Sequence, residues 1–271
     1  MDRVLVIDSP RNPRVQAALA LRERETRLAL GLTLVDGARE ALRAMSAGVV
    51  VESAFVCRSL VRTEEATLAV RTLELAAAPI IEVSARVHDR LAFGNRQDGL
   101  VLVVQTTIST LDTLKPGPDP LILVTEDVEK PGNLGAILRT ADGAGCGAVI
   151  AIGGTDLFNP NVVRASVGTV FSVPVAAATP AETIAWLAAH AIRPIAANVD
   201  APAIYTDANL TGPMALVLGS EADGLSAAWR GAGIEHVRIP MAGTADSLNV
   251  SVAAAVLAFE SRRQRDGRQA P

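Results

Sequence analysis

From residue 121 onward, short apolar runs alternate with helix-like segments, and nothing else in the chain constrains its fold as strongly. The runs LILVTEDV (121–128), AVIAIG (148–153), VFSVPV (170–175), RPIAAN (193–198), ALVLGS (215–220) and HVRIPM (236–241) are mostly continuous in apolarity. A strand apolar on both sides is covered on both faces, which points to a parallel sheet with helices packed against each side. The segments between them predict helices over 132–145, near 160–168, 180–190 and 224–231, and over 249–263. In GNLGAILRTADGAG (132–145), Ile137, Ala141 and Ala144 share one helical face.

The stretch TTISTLDTLKPGPDP (106–120) interrupts this order. Its Pro116, Gly117, Pro118 and Pro120 suit neither a helix interior nor a central strand, so a linker is expected there. Before it the pattern predicts helices over 13–31, 38–47, 62–77 and 84–92 and strands over 50–57, 79–83 and 99–105. The expectation is an α/β protein with a small domain at 1–105, a linker at 106–120 and a mostly parallel-sheet domain at 121–271. A polar, arginine-bearing tail occupies 261–271.

With 49% hydrophobic residues, the chain has enough apolar surface to offset the entropy of ordering, which excludes intrinsic disorder. No run reaches the roughly 18 apolar residues of a membrane span, and the opening residues lack the basic start and apolar core of a secretory signal. Cys57 and Cys146 are too far apart for a Cys-x-x-Cys knuckle, and His88, His190 and His236 are the only histidines. No metal site is expected, and a reducing, cytoplasmic setting is. The net charge of −4 is uneven: residues 1–105 carry +1 and residues 106–271 carry −5. Of 25 basic residues, only Lys115 and Lys130 are lysine. Arginine suits forked contacts to phosphate, but a coding bias gives the same preference, so charge decides nothing alone.

Three segments lie at the carboxyl ends of predicted strands, where ligands bind in open α/β sheets. The first, EDVEKPGNLGAILR, sets Asn133 between two glycines just before a helix, as a cap or a ligand amide, with Arg139 one turn beyond Gly135. In the second, Leu218-Gly-Ser-Glu-Ala-Asp-Gly224, a strand ends on small residues with Glu221 beside them. It lacks Gly-x-Gly-x-x-Gly and Gly-Lys-Ser/Thr, so neither a dinucleotide site nor a P-loop is indicated. The third runs from Ile239-Pro-Met241 to Ser247-Leu-Asn-Val-Ser251, where Ser247 or Asn249 can cap the last helix. Val252, Val256 and Phe259 give that helix an apolar stripe, fit for core or a subunit contact.

Taken together, Asn133-x-Gly-x-x-x-Arg139, Leu218-Gly-Ser-Glu-x-x-Gly224 and Ile239-Pro-Met…Ser247-Leu-Asn-Val-Ser251 resemble the three ordered motifs of the SpoU (TrmH) family. These are RNA ribose 2′-O-methyltransferases of the SPOUT superfamily. Arg164-Ala-Ser-Val-Gly-Thr-Val-Phe-Ser-Val-Pro174 is similar to the segment between the first two motifs. Residues 5–105 more loosely resemble the small RNA-binding domain of rRNA-modifying members, with Ser9-Pro-Arg-Asn-Pro13 and Val35-Asp-Gly37 at its opening. An acid-Gly pair with Glu is commoner there than Asp36.

The resemblance implies a C-terminal trefoil knot holding S-adenosylmethionine and a homodimer joined through the knotted domains. Knots are otherwise so rare that only the resemblance suggests one. It implies Arg139 as the central catalytic residue, Asn133 as its helper, and Ser247 and Asn249 completing the pocket. The cofactor-binding set it implies is Leu218, Gly219, Ser220, Gly224, Ile239, Pro240, Met241, Ser247, Leu248 and Asn249. A guanidinium stays protonated in proteins, so Arg139 is read as forking onto the substrate phosphate rather than as a base. Glu221 is a second candidate for base or orienter, and Arg164 a candidate RNA-phosphate contact. The expected substrate is 23S-type rRNA. The alternatives are a tRNA 2′-O-methyltransferase, a catalytically silent RNA-binding protein, or an ordinary doubly wound nucleotide enzyme.

Overall fold

The computed structural model describes residues 6–93, 98–106, 109–231 and 233–269. Residues 107–108 of the expected linker and the last two residues of the expected tail lie outside these. The chain forms two compact units, Met1–Thr107 with Phe158–Ser172, and Ile108–Leu157 with Val173–Pro271.

The first unit contains α1 (Pro13–Ala20), α2 (Arg24–Leu30), β1 (Leu32–Asp36), α3 (Ala38–Ser46), β2 (Val51–Val56), α4 (Glu64–Leu75), β3 (Ile80–Glu82), α5 (Ala85–Leu91) and β4 (Leu100–Gln105). Its sheet runs β1-β4-β2-β3, with β4 antiparallel to both neighbours and β3 parallel to β2. The helix expected over 13–31 is two helices, and Leu32–Asp36 is a strand that was not expected. The leucines at 28, 30, 32 and 34 blur the change of period. The left-handed Gly31 (φ 62°) ends α2 and Gly37 (φ 118°) ends β1, so the chain changes direction twice within seven residues.

Helix α6 (Pro131–Ala144) belongs to the second unit, whereas α7 (Pro160–Ala165), which follows it, packs within the first. Arg164 of α7 donates to the Phe93 carbonyl, and Thr33 Oγ1 donates to the Phe158 carbonyl (2.6 Å). Asp36 accepts from the Phe93 N–H (2.9 Å). Burial pushes the Asp36 carboxyl up to about 6, against the opposing pull of that N–H and of the Arg164 charge.

The second unit contains β5 (Leu121–Glu126), α6 (Pro131–Ala144), β6 (Ala148–Ile152), β7 (Val175–Ala177), α8 (Pro180–Ala189), β8 (Arg193–Ala197), β9 (Ala203–Ile204), β10 (Met214–Leu218), β11 (Glu235–Arg238) and α9 (Val250–Gln269). The seven strands are ordered β7-β6-β5-β10-β8-β11-β9, and every pairing is parallel. Every residue of β5, β6 and β10 is buried, as a parallel sheet covered on both faces requires.

Three local expectations fail here. The strand expected over 170–175 is a 3-10 turn at Thr169–Phe171 followed by β7, because Pro174 has no N–H for a ladder. The helix expected near 224–231 is only a 3-10 turn, Ala227–Arg230. The last helix continues past 263 to Gln269, since its arginines find partners: Arg263 pairs with Glu260 (2.7 Å), and Arg265 donates to the carbonyls of Asp119, Pro120 and Gly212.

The ladder aligns the strand ends that matter. Leu218 pairs with Thr125, Val217 with Ala196, and Val237 with Ala197, so β5, β10, β8 and β11 finish at nearly one level. The loops leaving these four strands are therefore neighbours along one sheet edge.

Candidate active site

The helix following β5 begins at Pro131, whose missing N–H costs nothing at a first helical position. Asn133 is thus inside the first turn and is not the cap that its glycine neighbours suggest. Its amide is directed elsewhere: Nδ2 donates to Glu221 Oε1 at 3.0 Å. Lys130 Nζ donates to Glu221 Oε2 at 2.7 Å. From the third segment, Asn249 Nδ2 donates to both Glu221 Oε1 and Asn133 Oδ1. The Val250 N–H, at the start of α9, also donates to the Glu221 carboxylate. The Lys130 ammonium, foremost, holds this carboxyl below the usual carboxylate range, and the amide donors add to it.

Asn249 has two roles. Its Oδ1 accepts from the Ser251 N–H (3.0 Å) and the Ser251 hydroxyl (2.6 Å), while its backbone carbonyl receives the Val252 and Ala253 N–H groups. It therefore caps α9 with one end of its amide and joins the Glu221 cluster with the other.

Beside this cluster the loops after β10, β8 and β11 enclose a cavity of about 430 Å³. That size falls in the range of small-molecule sites, roughly 300–1,000 Å³. Leu218, Gly219, Ser220, Glu221, Gly224, Ile239, Met241, Ser247 and Leu248 line it. Pro240, Asn133, Asn249 and Arg139 are not on its wall. The loop after β10 folds back on itself, with reciprocal backbone bonds between Ser220 and Gly224 (3.1 and 3.2 Å). A side chain at Gly219 would lie 2.2 Å from the Gly224 carbonyl carbon, so that closure requires glycine.

This wall offers backbone polar groups as well as polar side chains. Among the described residues, the backbone of 239–248 makes no hydrogen bond within the chain. Its N–H and C=O groups are free to read the edge of a planar heterocycle between apolar side chains such as Ile239, Met241 and Leu248. This donor set fits the adenosine part of S-adenosylmethionine. Among the described residues, no group of three His, Cys, Asp or Glu is arranged to hold a metal ion.

Arg139 extends from the exposed side of α6 and makes no hydrogen bond or ion pair to the described residues. Arg164 is placed otherwise: it belongs to the first unit, where the Phe93 carbonyl takes its guanidinium.

Sequence reasoning overlooked several residues. Buried Glu126, at the end of β5, accepts from the Ser226 N–H and hydroxyl (both 2.8 Å) and anchors the loop after β10. Its signal was an acid ending an apolar strand. Lys130 was marked by being one of only two lysines. Asn198, Val199 and Asp200, on the cavity wall after β8, were marked only by following a strand at its carboxyl end.

The model of the SpoU rRNA Methylase family matches residues 120–259, which include all three segments of this site. The chain belongs to the SpoU rRNA methylase family. A second model, an MRM3-like substrate binding domain, matches residues 12–101. The SpoU chain is 32% identical to a 23S rRNA (uridine(2479)-2′-O)-methyltransferase of Streptomyces viridochromogenes, over 92% of this chain and 88% of that protein. A crystal structure of an RNA 2′-O ribose methyltransferase superposes with a TM-score of 0.84 at 42% identity, covering 96% of this chain and 99% of the other. An AdoMet-bound rRNA methyltransferase from Sinorhizobium meliloti gives a TM-score of 0.86 at 28% identity, covering 96% and 97%.

The double role of Asn249 generates a prediction. Asn249→Ala should lose about 1 kcal/mol of stability with the cap, and should also lower methyl transfer by at least about tenfold, equivalent to roughly 1.4 kcal/mol in the barrier. Thermal melts beside a transfer assay read both quantities. A lowered melting temperature with normal turnover would reduce the residue to a cap.

Proposed function

We propose that this chain transfers the methyl group of S-adenosylmethionine to a ribose 2′-OH of ribosomal RNA of the 23S type. The observation that carries the reading is the meeting of Asn133, Glu221 and Asn249 in one hydrogen-bonded cluster beside the cavity. Three segments far apart in sequence contribute one residue each.

The bound cofactor supplies an electrophilic methyl group on a sulfonium sulfur. The protein must present the ribose hydroxyl in line with it and accommodate the departing proton. Arg139, uncommitted among the described residues, carries five donors in a planar fork matched to a phosphate, and in this reading it fixes the nucleotide next to the cavity. Asn133 is held by Glu221 so that its orientation is set before RNA arrives. Glu221 is an orienter in this account: four donors already occupy it, and a carboxyl held low is a weak base. The proton leaves through the substrate phosphate or water. Leu218, Gly219, Ile239, Met241 and Leu248 hold the adenosine through backbone groups, with Ser220, Gly224, Pro240 and Ser247 shaping the loops around it.

The match of residues 12–101 to a substrate binding domain supports RNA recognition by the N-terminal domain. Its arginines supply phosphate contacts, although the placement of Arg164 favours a structural tie over RNA contact. The rRNA names of the relatives that match along most of the chain support rRNA over tRNA. An rRNA substrate places the work in the cytoplasm; among the described residues no helix is long and apolar enough to cross a membrane. A trefoil knot is supported by the course of the chain after β11. It passes through the 239–249 loop into α9, whose Ser261 and Arg265 dock on the segments before β10 and β5.

A homodimer through this domain is supported by α9, where Val252 (47% exposed) and Phe259 (51%) lie seven residues apart on one face. Light scattering should give twice the chain mass, and Val252→Glu with Phe259→Glu should halve it. A wild-type monomer would contradict this part of the reading.

The test of catalysis is Arg139→Ala. It should leave cofactor affinity nearly intact while removing most methyl transfer in single turnover. A near-wild-type rate would reject Arg139 as the residue that acts on the RNA.

A further inference from the structure

We propose that Asp200 binds the ribose hydroxyl pair of the cofactor's adenosine, an inference that rests on the S-adenosylmethionine reading above. The cavity is built by loops leaving three adjacent strands, and β8 lies between β10 and β11 in the sheet. The loop after β8 therefore separates the 218–221 loop from the 239–241 loop. If those two outer loops grip the adenine edge through their backbones, the middle loop faces the sugar that links adenine to the sulfonium arm.

Four acids line the cavity: Asp200, Glu221, Asp223 and Asp246. Glu221 is occupied by Lys130, Asn133 and Asn249. Asp223 is at the tip of the Ser220–Gly224 turn, and Asp246 is in the stretch whose backbone makes no internal bonds. Asp223 is also held, its N–H donating to Ser220 Oγ (3.0 Å), but within an outer loop; Asp200 is the acid of the middle loop, and that loop is fixed to the sheet. The Asn198 N–H donates to the Val237 carbonyl (2.9 Å), the Asp200 N–H to Asn198 Oδ1 (3.1 Å), and the Ala201 N–H to the Asn198 carbonyl (3.2 Å). The Asp200 carboxylate itself has no partner among the described residues.

An ionised carboxylate offers only acceptors, and a vicinal diol offers two donors at matching separation. An acid after a strand of an α/β sheet binds nucleotide ribose in this manner elsewhere. Neighbouring Val199 is exposed and apolar, and it adds a wall for the sugar's carbon face.

Calorimetry with S-adenosylhomocysteine and with 5′-methylthioadenosine, which keeps the ribose but lacks the amino-acid arm, tests the assignment. Asp200→Ala should weaken both by at least about tenfold, and a 2′,3′-dideoxy analogue of methylthioadenosine should bind wild type and variant alike. Because the residue is exposed, the variant should melt as the wild type does. Unchanged affinity for S-adenosylhomocysteine overturns the inference. Loss confined to S-adenosylhomocysteine also overturns it, since Asp200 would then face the ammonium group. Failure of the wild type to bind any of these probes overturns the cofactor reading itself.

Discussion

The site depends on one carboxylate. Glu221 accepts from Lys130 and Asn133 on the β5 side and from Asn249 and the Val250 N–H at the start of the last helix. The Lys130 leg is a largely exposed ion pair and contributes little stability by itself. Its effect is on geometry. By holding Glu221 ionised, it keeps a single acceptor around which two asparagine amides must turn their Nδ2 groups inward. Asn133 then has its amide orientation already chosen, and the role proposed for it requires this, since a positioned group lowers a barrier without reorganising during the reaction. Because the carboxyl is held low, this arrangement persists through neutral pH and loosens only as Glu221 protonates in acid.

The sheet makes that meeting possible. Parallel strands present their carboxyl ends on one edge, and the register levels β5, β10, β8 and β11. Glu126, buried at the end of β5, then fastens the loop after β10 through Ser226, and Gly219 permits the loop to close on Gly224. The cavity wall and the Asn133–Glu221–Asn249 cluster are thus supported by the same few turns. A change that opens the 219–226 loop should disturb both.

Much of this was legible in the amino-acid order because the central strands are buried on both faces and say so by unbroken apolar runs. The three motif segments could be placed at strand ends for the same reason. What could not be read has physical causes. Leu32–Asp36 hides between two helices within a leucine-rich stretch whose period changes at two glycines. VFSVPV has strand composition, but Pro174 interrupts its ladder and delays the strand to Val175. The grouping of Phe158–Ser172 with the N-terminal residues depends on contacts such as Thr33 to Phe158, and no local pattern encodes a partner 125 residues away. Glu126 and Lys130 carry no motif; their significance lies in what the fold places opposite them, Ser226 and Glu221.

The central claim is methyl transfer to a ribose hydroxyl of rRNA. The most direct measurement incubates the purified protein with S-adenosylmethionine labelled in its methyl group and with unmodified 23S rRNA. The RNA is then digested to nucleosides for mass spectrometry. The account predicts label in one kind of 2′-O-methylated nucleoside, and none when tRNA is substituted. Label on a base, label in tRNA alone, or cofactor binding without transfer to any RNA would contradict it.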